Sequence, residues 1–312
     1  MKELLSLARP EILKLKPYVS ARSLITHGRI FLDANESPSE ASSDETTSGK
    51  NSNNETTNGI PPSFSKPLNR YPEPQPRALS ERFSELYSVS PSQLLICRGS
   101  DEAIDLLVRA FCESGKDEVL ICPPTYGMYE VSAKIQGARV IHVPLLFQPS
   151  PSGRGFEVKL DEAAIVETAV KADADIKLVF ICNPNNPTGT SFDRNSLKRI
   201  CKATFGRCLV ILDEAYVEFD SDGSMINELE EYPNLVILRT LSKAWALAGA
   251  RCGVAIANES VIQLLQKIRP PYPLSTPTIR AVLETIRPKN TIRKRIPMFS
   301  AKVKSVRRSP IT

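Results

Sequence analysis

From about Leu79 onward, short apolar runs alternate with stretches whose apolar residues recur at helical spacing. The apolar runs are QLLIC, EVLIC, ARVIHVPL, KLVFIC, CLVILD and LVILRT. Helices are predicted between them, near 102–112, 128–136, 162–171 and 195–204. Continuous apolar strands separated by helices indicate a mainly parallel central sheet with helices on both faces. The sequence therefore predicts an α/β fold, in which ligands bind at the carboxyl ends of the strands.

Composition divides the chain into four predicted segments. Residues 1–35 form an N-terminal arm, and residues 36–68 are rich in Ser, Thr, Asn and Gly. Such a segment buries too little apolar surface to offset the entropy of ordering, so we predict a disordered polar insertion there. Residues 69–270 are predicted to be a large ligand-binding domain. Residues 271–312 are predicted to be the truncated start of a small domain, largely missing, followed by a basic tail.

Charge and cysteine content narrow the class of protein. Nine Lys and Arg residues and no acid lie in 285–312, and the rest of the chain is net negative. The body therefore gives no reason to expect nucleic-acid binding, and aromatic residues make up only 6% of the chain. The seven cysteines lie mostly in apolar runs without metal-site spacing, which indicates small buried side chains in a reducing compartment. With no signal peptide or apolar span, we expect a cytoplasmic protein without metal or membrane partners.

Polar residues follow the predicted strands where the strands end. They lie in the motifs RGSDE (Ser100, Asp101), PPTYGMY (Tyr126), NPNNPTG (Asn186), DEAYVEF (Asp213, Tyr216) and RTLSKAWALAGARCG (Thr240, Ser242, Lys243, Arg251). Ser100 and Asp101 are good N-cap types, and a helix N-terminus suits a phosphate group. Each motif alone has a structural explanation, such as a capping Asp or a surface Lys, but their combination indicates one site.

Two of these residues carry predicted chemistry. A carboxylate at the end of an apolar strand is costly unless it is paired, so Asp213 is predicted to face a cationic ring N–H. Lys243 is followed by apolar and small residues, and we expect a buried or semi-buried amine. Burial and neighbouring positive charge lower the pKa of an amine and make it a nucleophile toward carbonyl groups.

The ordered motifs, together with NRYPE at 69–73, LDANESP and PPYPLSTP, resemble the fold-type-I aminotransferases. Within them the chain looks like the histidinol-phosphate aminotransferase family, from about residue 8 to about residue 285. The resemblance implies pyridoxal 5'-phosphate as cofactor and a homodimer. It implies amino-group transfer between L-histidinol phosphate and 2-oxoglutarate, with glutamate as product, in histidine biosynthesis. Family members continue into a small C-terminal domain, which carries an arginine for the substrate carboxylate.

The resemblance also assigns roles. It implies a Schiff base between Lys243 and the cofactor, Asp213 at the pyridine nitrogen, and Tyr126 stacked on the ring. The phenolic oxygen would be bound by Tyr216 and Asn186. The phosphate would be bound by Ser100, Asp101, Thr240, Ser242, Arg251 and, from the neighbouring subunit, Tyr71. The segments that close over the substrate would include Tyr18, Arg22 and Asn35.

The sequence also allows three other interpretations. The break in composition at the basic tail suggests a frame change or alternative splice, and the product could be an inactive fragment that keeps only the cofactor-binding core. A related pyridoxal-phosphate enzyme is a second alternative, either an aromatic aminotransferase or a protein like phosphothreonine decarboxylase. The tail could also be a polyanion-binding arm, although no recognition motif accompanies it.

Overall fold

The structure is a computed structural model that describes residues 2–17, 36, 68–150, 155–171 and 173–286. Tyr18, Arg22 and Asn35, nearly all of the predicted insertion and the basic tail beyond residue 286 lie outside the described residues. No helix in the described ranges is long and apolar enough to cross a membrane. Below, helices and strands are numbered in chain order within those ranges.

Nine α-helices lie within the described part of the chain. They are α1 (Lys2–Leu5), α2 (Pro10–Lys14), α3 (Arg77–Tyr87), α4 (Ser100–Phe111), α5 (Met128–Gln136), α6 (Glu162–Val170), α7 (Arg194–Ala203), α8 (Glu259–Ile268) and α9 (Thr276–Thr285). Short 3₁₀ helices cover Pro91–Gln93, Val217–Phe219, Ile226–Glu228 and Ala248–Ala250. The N-cap residues of α6 to α9 are Asp161, Asp193, Asn258 and Ser275. Their side chains accept hydrogen bonds from backbone N–H groups of the first turn.

A seven-stranded sheet forms the centre of the fold. Its strands are β1 (Leu94–Cys97), β2 (Glu118–Ile121), β3 (Arg139–His142), β6 (Ile176–Cys182), β7 (Leu209–Asp213), β8 (Leu235–Thr240) and β9 (Gly253–Ala257). A separate antiparallel hairpin consists of β4 (Leu146–Pro149) and β5 (Phe156–Lys159). The sheet order is β1-β9-β8-β7-β6-β2-β3, and β9 runs antiparallel to the other six strands. The other six strands therefore end at the same edge of the sheet.

Alternate side chains of the central strands face two separate hydrophobic cores. Along β7, Val210 and Leu212 belong to one core and Leu209 and Ile211 to the other, as the two-residue period of a strand requires. Helices α3, α6, α7 and α9 cover the first face, and α1, α4, α5 and α8 cover the second. The predicted mainly parallel sheet with helices on both faces is thus confirmed.

The free edge of β1 is covered by a side chain. The amide of Gln75 donates to the carbonyl of Ile96 at 3.0 Å and accepts from the backbone N–H of Ile96 at 2.9 Å. In β1, which pairs antiparallel with β9, successive residues direct their backbone N–H and C=O groups to opposite sides, so Ile96 faces the side opposite to Leu95 and Cys97. The Gln75 side chain therefore acts as a short additional strand on the side of β1 that faces away from β9.

The structure departs from the predictions in several places. Residues 139–142, predicted as a covered apolar strand, form the edge strand β3, and their side chains are exposed or half-buried. Glu36, the first residue of the predicted insertion, is held by Arg70 at 2.7 Å and by the N–H of Tyr71 at 2.6 Å. The hairpin, β9, α8 and α9 were not predicted. All seven cysteines are buried and unpaired, as predicted.

Candidate active site

One open pocket, with about 570 Å³ of empty space, lies at the edge where the parallel strands end. Ten of the sequence-predicted residues line it: Ser100, Asp101, Tyr126, Asn186, Asp213, Tyr216, Thr240, Ser242, Lys243 and Arg251. Cys182 and Ala215 also line it and were not predicted. Because neighbouring strands are about 4.7–4.9 Å apart, side chains that follow adjacent strands converge here from distant parts of the chain.

One part of the pocket is suited to an anion. Helix α4 begins there, and its N-cap is Gly99, whose φ of 81° fits a residue without a side chain. The sequence had predicted Ser100 or Asp101 as the cap, but these are the first two helical residues, so no side chain occupies the first N–H groups of α4. Those N–H groups and the positive end of the helix dipole are available to a phosphate.

A cation and two hydroxyl groups complete this anion-binding part. Arg251 donates from Nη2 to Asp101 at 3.1 Å and from Nη1 to Ser242 at 3.3 Å. The hydroxyls of Thr240 and Ser242 are 3.0 Å apart. Arg251 has a φ of 50°, the left-handed region that a residue with a side chain rarely adopts. Such backbone strain is concentrated at ligand sites, where the surrounding structure maintains it.

Gly253, at the start of β9, allows β8 and the N-terminus of α4 to pack closely against it. A Cβ at this position would lie 2.7 Å from the carbonyl oxygen of Arg239, 2.8 Å from the carbonyl carbon of Gly99 and 2.8 Å from the backbone nitrogen of Ser100. All three atoms belong to the backbone, so no side chain could rotate away. A larger residue would have to move the N-terminus of α4.

We expect Gly253→Ala to lower the free energy of unfolding by about 1–3 kcal/mol, because an overpacked buried site forces backbone shifts. Gly127→Ala is the matched control, since an added Cβ there meets no atom within 4 Å and Gly127 has a φ of −66°. Urea unfolding of both variants checks the prediction. Equal midpoints for the two variants would show that the contact at Gly253 relaxes without cost.

Asp213 lies at the end of β7 and is only 3% exposed. Its Oδ1 accepts a hydrogen bond from the N–H of Ala215 at 3.1 Å, and its Oδ2 accepts one from the hydroxyl of Tyr129 at 2.8 Å. Burial raises the pKa of Asp213 to about 6, although both hydrogen bonds lower it. A buried carboxylate of this kind is stabilised in its charged form by a cationic ligand.

Two tyrosines of the PPTYGMY motif lie on the same side of the pocket. The Tyr126 hydroxyl donates to Asp101 at 2.9 Å, and burial followed by this hydrogen bond raises the pKa of Tyr126 to about 12. Tyr126 contacts Tyr129 edge to face, with ring centroids 5.6 Å apart. The half-buried Tyr126 ring therefore borders the pocket while the fully buried Tyr129 supports it from behind.

Lys243 differs from the prediction in its burial. The side chain was expected to be buried or semi-buried, but it is exposed, because it follows β8 at the mouth of the open pocket. Its Nζ lies 5.4 Å from the centroid of the Tyr216 ring, within cation–π distance. Tyr216 and Asn186 are half-buried on the pocket wall.

Tyr71 lies apart from these ten residues. It is 51% exposed and stacks on Tyr272 with ring centroids 4.5 Å apart. The two rings line another pocket together with Arg98, Arg251 and Thr278. Its predicted role across a subunit boundary is compatible with this position and stays a prediction.

A buried ion network behind the pocket was missed by the sequence analysis. Arg239 binds Glu218 at 2.6 Å and Glu214 at 3.4 Å, and Glu218 also accepts from the indole N–H of Trp245 at 3.3 Å. It links the loop after β7 to the loop that carries Lys243. The sequence does contain a signal for this network, because Asp213 and Glu214 are adjacent acids at the end of a strand. The two-residue period of a strand directs their side chains to opposite faces of the sheet, so only one of them can face the pocket.

The chemistry of the lining residues defines the ligand that fits. Arg251, two hydroxyls and the α4 N-terminus fit a phosphate. Asp213 fits a cationic ring nitrogen, and the amine of Lys243 fits a carbonyl carbon. Pyridoxal phosphate carries all three groups, so the residues present fit the cofactor that the sequence motifs imply.

Comparison with known proteins agrees with this geometry. The profile of the family described as aminotransferase class I and II matches residues 29–309, and so extends past residue 285 into the basic tail. The chain belongs to this family. Histidinol-phosphate aminotransferase 2 of Idiomarina loihiensis is 44% identical over 280 residues, covering 90% of this chain and 71% of that protein. Histidinol-phosphate aminotransferase of Shigella flexneri is 43% identical over 286 residues, covering 92% and 72%. The family assignment made from the motifs is therefore confirmed.

A solved structure shows the same fold. Histidinol-phosphate aminotransferase from Sinorhizobium meliloti, in complex with pyridoxal-5'-phosphate, superposes with a TM-score of 0.67 at 23% identity. The superposition covers 77% of this chain and 62% of that one, so the chain spans less than two thirds of the solved relative. At this level of identity the likeness establishes the fold alone.

Proposed function

We propose that the protein is a pyridoxal-phosphate-dependent transaminase that transfers an amino group between L-histidinol phosphate and 2-oxoglutarate. One observation carries the proposal: the described pocket brings together Lys243, Asp213 and Arg251 with seven further residues of the family's motifs. Identity of about 43–44% to histidinol-phosphate aminotransferases over some nine tenths of the chain supports this substrate class. The cytoplasmic location expected from the sequence stays a prediction.

The roles of the residues follow from their positions. When bound, pyridoxal phosphate supplies an electron sink that stabilises negative charge at the reacting carbon of the substrate. Asp213 holds a proton at the ring nitrogen through its buried carboxylate. Asn186 and Tyr216 bind the phenolic oxygen, and Tyr126 covers one face of the ring.

Lys243 has two tasks in this proposal. Its Nζ would hold the cofactor covalently, and as a free amine it would take the proton from the substrate carbon and deliver it to the carbon that accepts it. Its place in the turn after β8 leaves the side chain free to move, since it is exposed and only the Tyr216 ring lies within cation–π distance among the described contacts. Arg251, Ser100, Thr240 and Ser242 hold the phosphate so that the reacting atoms stay in place.

We also propose that two copies of the chain form a homodimer. Tyr71 is exposed and stacked on Tyr272 beside Arg251, where it could reach the phosphate in a neighbouring subunit's site. Sedimentation analysis of the purified chain tests this, and a monomer that binds cofactor with full affinity would contradict it.

The decisive experiment is reconstitution of the purified chain with pyridoxal phosphate. We expect an absorbance band at the edge of the visible range that borohydride abolishes, and peptide mass mapping should then place the reduced cofactor on Lys243. Folded protein without this adduct would refute the proposal and favour the inactive-fragment reading.

Substrate choice needs a separate assay. Amino-group transfer from L-histidinol phosphate should be faster than from phenylalanine, and O-phosphothreonine should not be decarboxylated. A preference for phenylalanine would indicate an aromatic aminotransferase, and decarboxylation of O-phosphothreonine would indicate a phosphothreonine decarboxylase-like protein.

A further inference from the structure

The hydrogen bond between Tyr129 and Asp213 is a buried polar contact at the site. Tyr129 is fully buried on α5, and its ring stacks on Phe180 of β6 with centroids 4.8 Å apart. Its hydroxyl is 2.8 Å from Oδ2 of Asp213. Tyr129 lies behind the carboxylate, outside the residues that line the pocket. The side chain therefore reaches the pocket through residues that line it: its hydroxyl binds Asp213 and its ring contacts Tyr126.

We propose that Tyr129 is a positioning residue, whose hydroxyl orients the Asp213 carboxylate and keeps it ionised toward the cationic ring of the bound cofactor. The proposal rests on the proposed function for the identity of that cofactor. It concerns a residue that the motif analysis passed over, although Tyr129 belongs to the same PPTYGMY motif as Tyr126.

The geometry fixes both oxygens of the carboxylate. The N–H of Ala215 binds Oδ1 and the Tyr129 hydroxyl binds Oδ2, so the plane of the carboxylate is set from two sides. Burial and the charge of Asp213 raise the pKa of Tyr129 well above its usual value, and the hydroxyl therefore stays protonated as a donor. A donor that cannot ionise favours the charged form of its partner.

The charge state of Asp213 depends on a small set of groups. Burial raises its pKa and the Tyr129 hydroxyl lowers it, with smaller effects from Asp101, which raises it, and Lys243, which lowers it. The titratable and charged groups that face Asp213 from the surrounding elements are Asp101, Tyr126, Tyr129, Cys182 and Lys243. Without the Tyr129 hydroxyl, fewer groups oppose the rise in the pKa of Asp213 that burial causes. Asp213 therefore takes up its proton at higher pH.

Tyr129→Phe tests the proposal, because it removes the hydroxyl and keeps the ring on Phe180. Tyr87→Phe is the matched control: Tyr87 is buried and stacked on Phe83 at 5.9 Å, and its hydroxyl has no hydrogen-bond partner among the described residues. The measurement is the affinity of the cofactor-free protein for pyridoxal phosphate, followed by fluorescence titration between about pH 5 and 9.

We expect Tyr129→Phe to bind the cofactor about 10-fold or more weakly near neutral pH, the loss typical of a hydrogen bond to a charged group. The pH at which affinity falls off should rise by about one unit. Tyr87→Phe should match the unmutated chain in both respects. In turnover, Tyr129→Phe should lower kcat more than it changes KM.

A double substitution separates positioning from packing. In an Asp213→Asn background, Tyr129→Phe should cause little further loss of affinity, because the carboxylate through which Tyr129 acts is gone. A full additional loss of affinity in the double variant would overturn the proposal. So would a loss of affinity that accompanies a lower melting temperature of the cofactor-free protein and an unshifted pH profile. Unchanged affinity and pH profile in Tyr129→Phe would also overturn it, while the proposed function stands. If the unmutated chain takes up no cofactor, both are refuted.

Discussion

Lys243→Ala is expected to abolish the borohydride-trapped cofactor adduct and to lower kcat by at least about 10²- to 10⁴-fold, the range that a positioned acid–base group contributes. The cofactor should still bind without a covalent link, because Asp213 and Arg251 remain. Absorbance spectra before and after reduction, together with single-turnover rates, check this result.

Two variants serve as controls for Lys243→Ala. Lys159→Ala removes an exposed lysine that pairs with Glu157 at 3.0 Å on the separate hairpin, and it should leave spectrum and rate unchanged. Lys243→Arg keeps the positive charge but cannot act as a nucleophile or release a proton. Near-normal turnover of Lys243→Arg would show that Lys243 contributes charge alone. An adduct retained in Lys243→Arg would place the covalent link on another residue.

Arg239→Met is expected to lower the free energy of unfolding by about 3–5 kcal/mol, because it leaves buried carboxylates without their cation. The Arg239 side chain is 9% exposed, and those of Glu214 and Glu218 are 0% and 5% exposed. Arg199→Met is the matched control. Arg199 binds Glu162 through two contacts of 2.7 Å but is 59% exposed, so its loss should be far smaller.

The pH dependence of the Arg239→Met deficit distinguishes an unpaired charge from lost packing. Burial already raises the pKa of Glu214 in the folded protein, and removal of Arg239 raises it further. A carboxyl group whose folded pKa is raised destabilises the fold as pH rises above its unfolded pKa of about 4.3. Denaturant unfolding should therefore show a larger deficit at pH 8 than at pH 5. A deficit independent of pH would assign the effect to packing.

The sequence predicted the sheet well because its strands are apolar on both faces. The runs that became β6, β7 and β8 could be placed from hydrophobicity alone. Edge elements gave weaker signals: β3 has exposed ends and two half-buried middle residues, and the hairpin strands β4 and β5 bury little of their surface. The antiparallel β9 could not be oriented, since direction depends on pairing with β1 and β8 rather than on local pattern.

The site shows the same division between local and non-local information. Motif residues such as Asp213 and Asn186 were predicted because each directly follows a strand, and parallel strands bring their ends together. Tyr129 and Arg239 were missed because their importance depends on partners 84 and 25 residues away, which no local pattern specifies. The exposure of Lys243 was wrongly predicted because its neighbours Leu241, Ala244 and Trp245 are buried themselves without covering the amine.

The amide of Gln75 has a consequence for the solubility of the folded chain. An uncovered edge strand offers its backbone groups to any other extended segment, and this is a common start of aggregation. At β1 the outward-facing N–H and C=O of Ile96 are already bound by a side chain of the same molecule. A second chain that added a strand at this edge would first have to displace Gln75. One glutamine thus hinders the addition of a strand from another chain at β1, while the side of the sheet where the parallel strands end stays open to ligands.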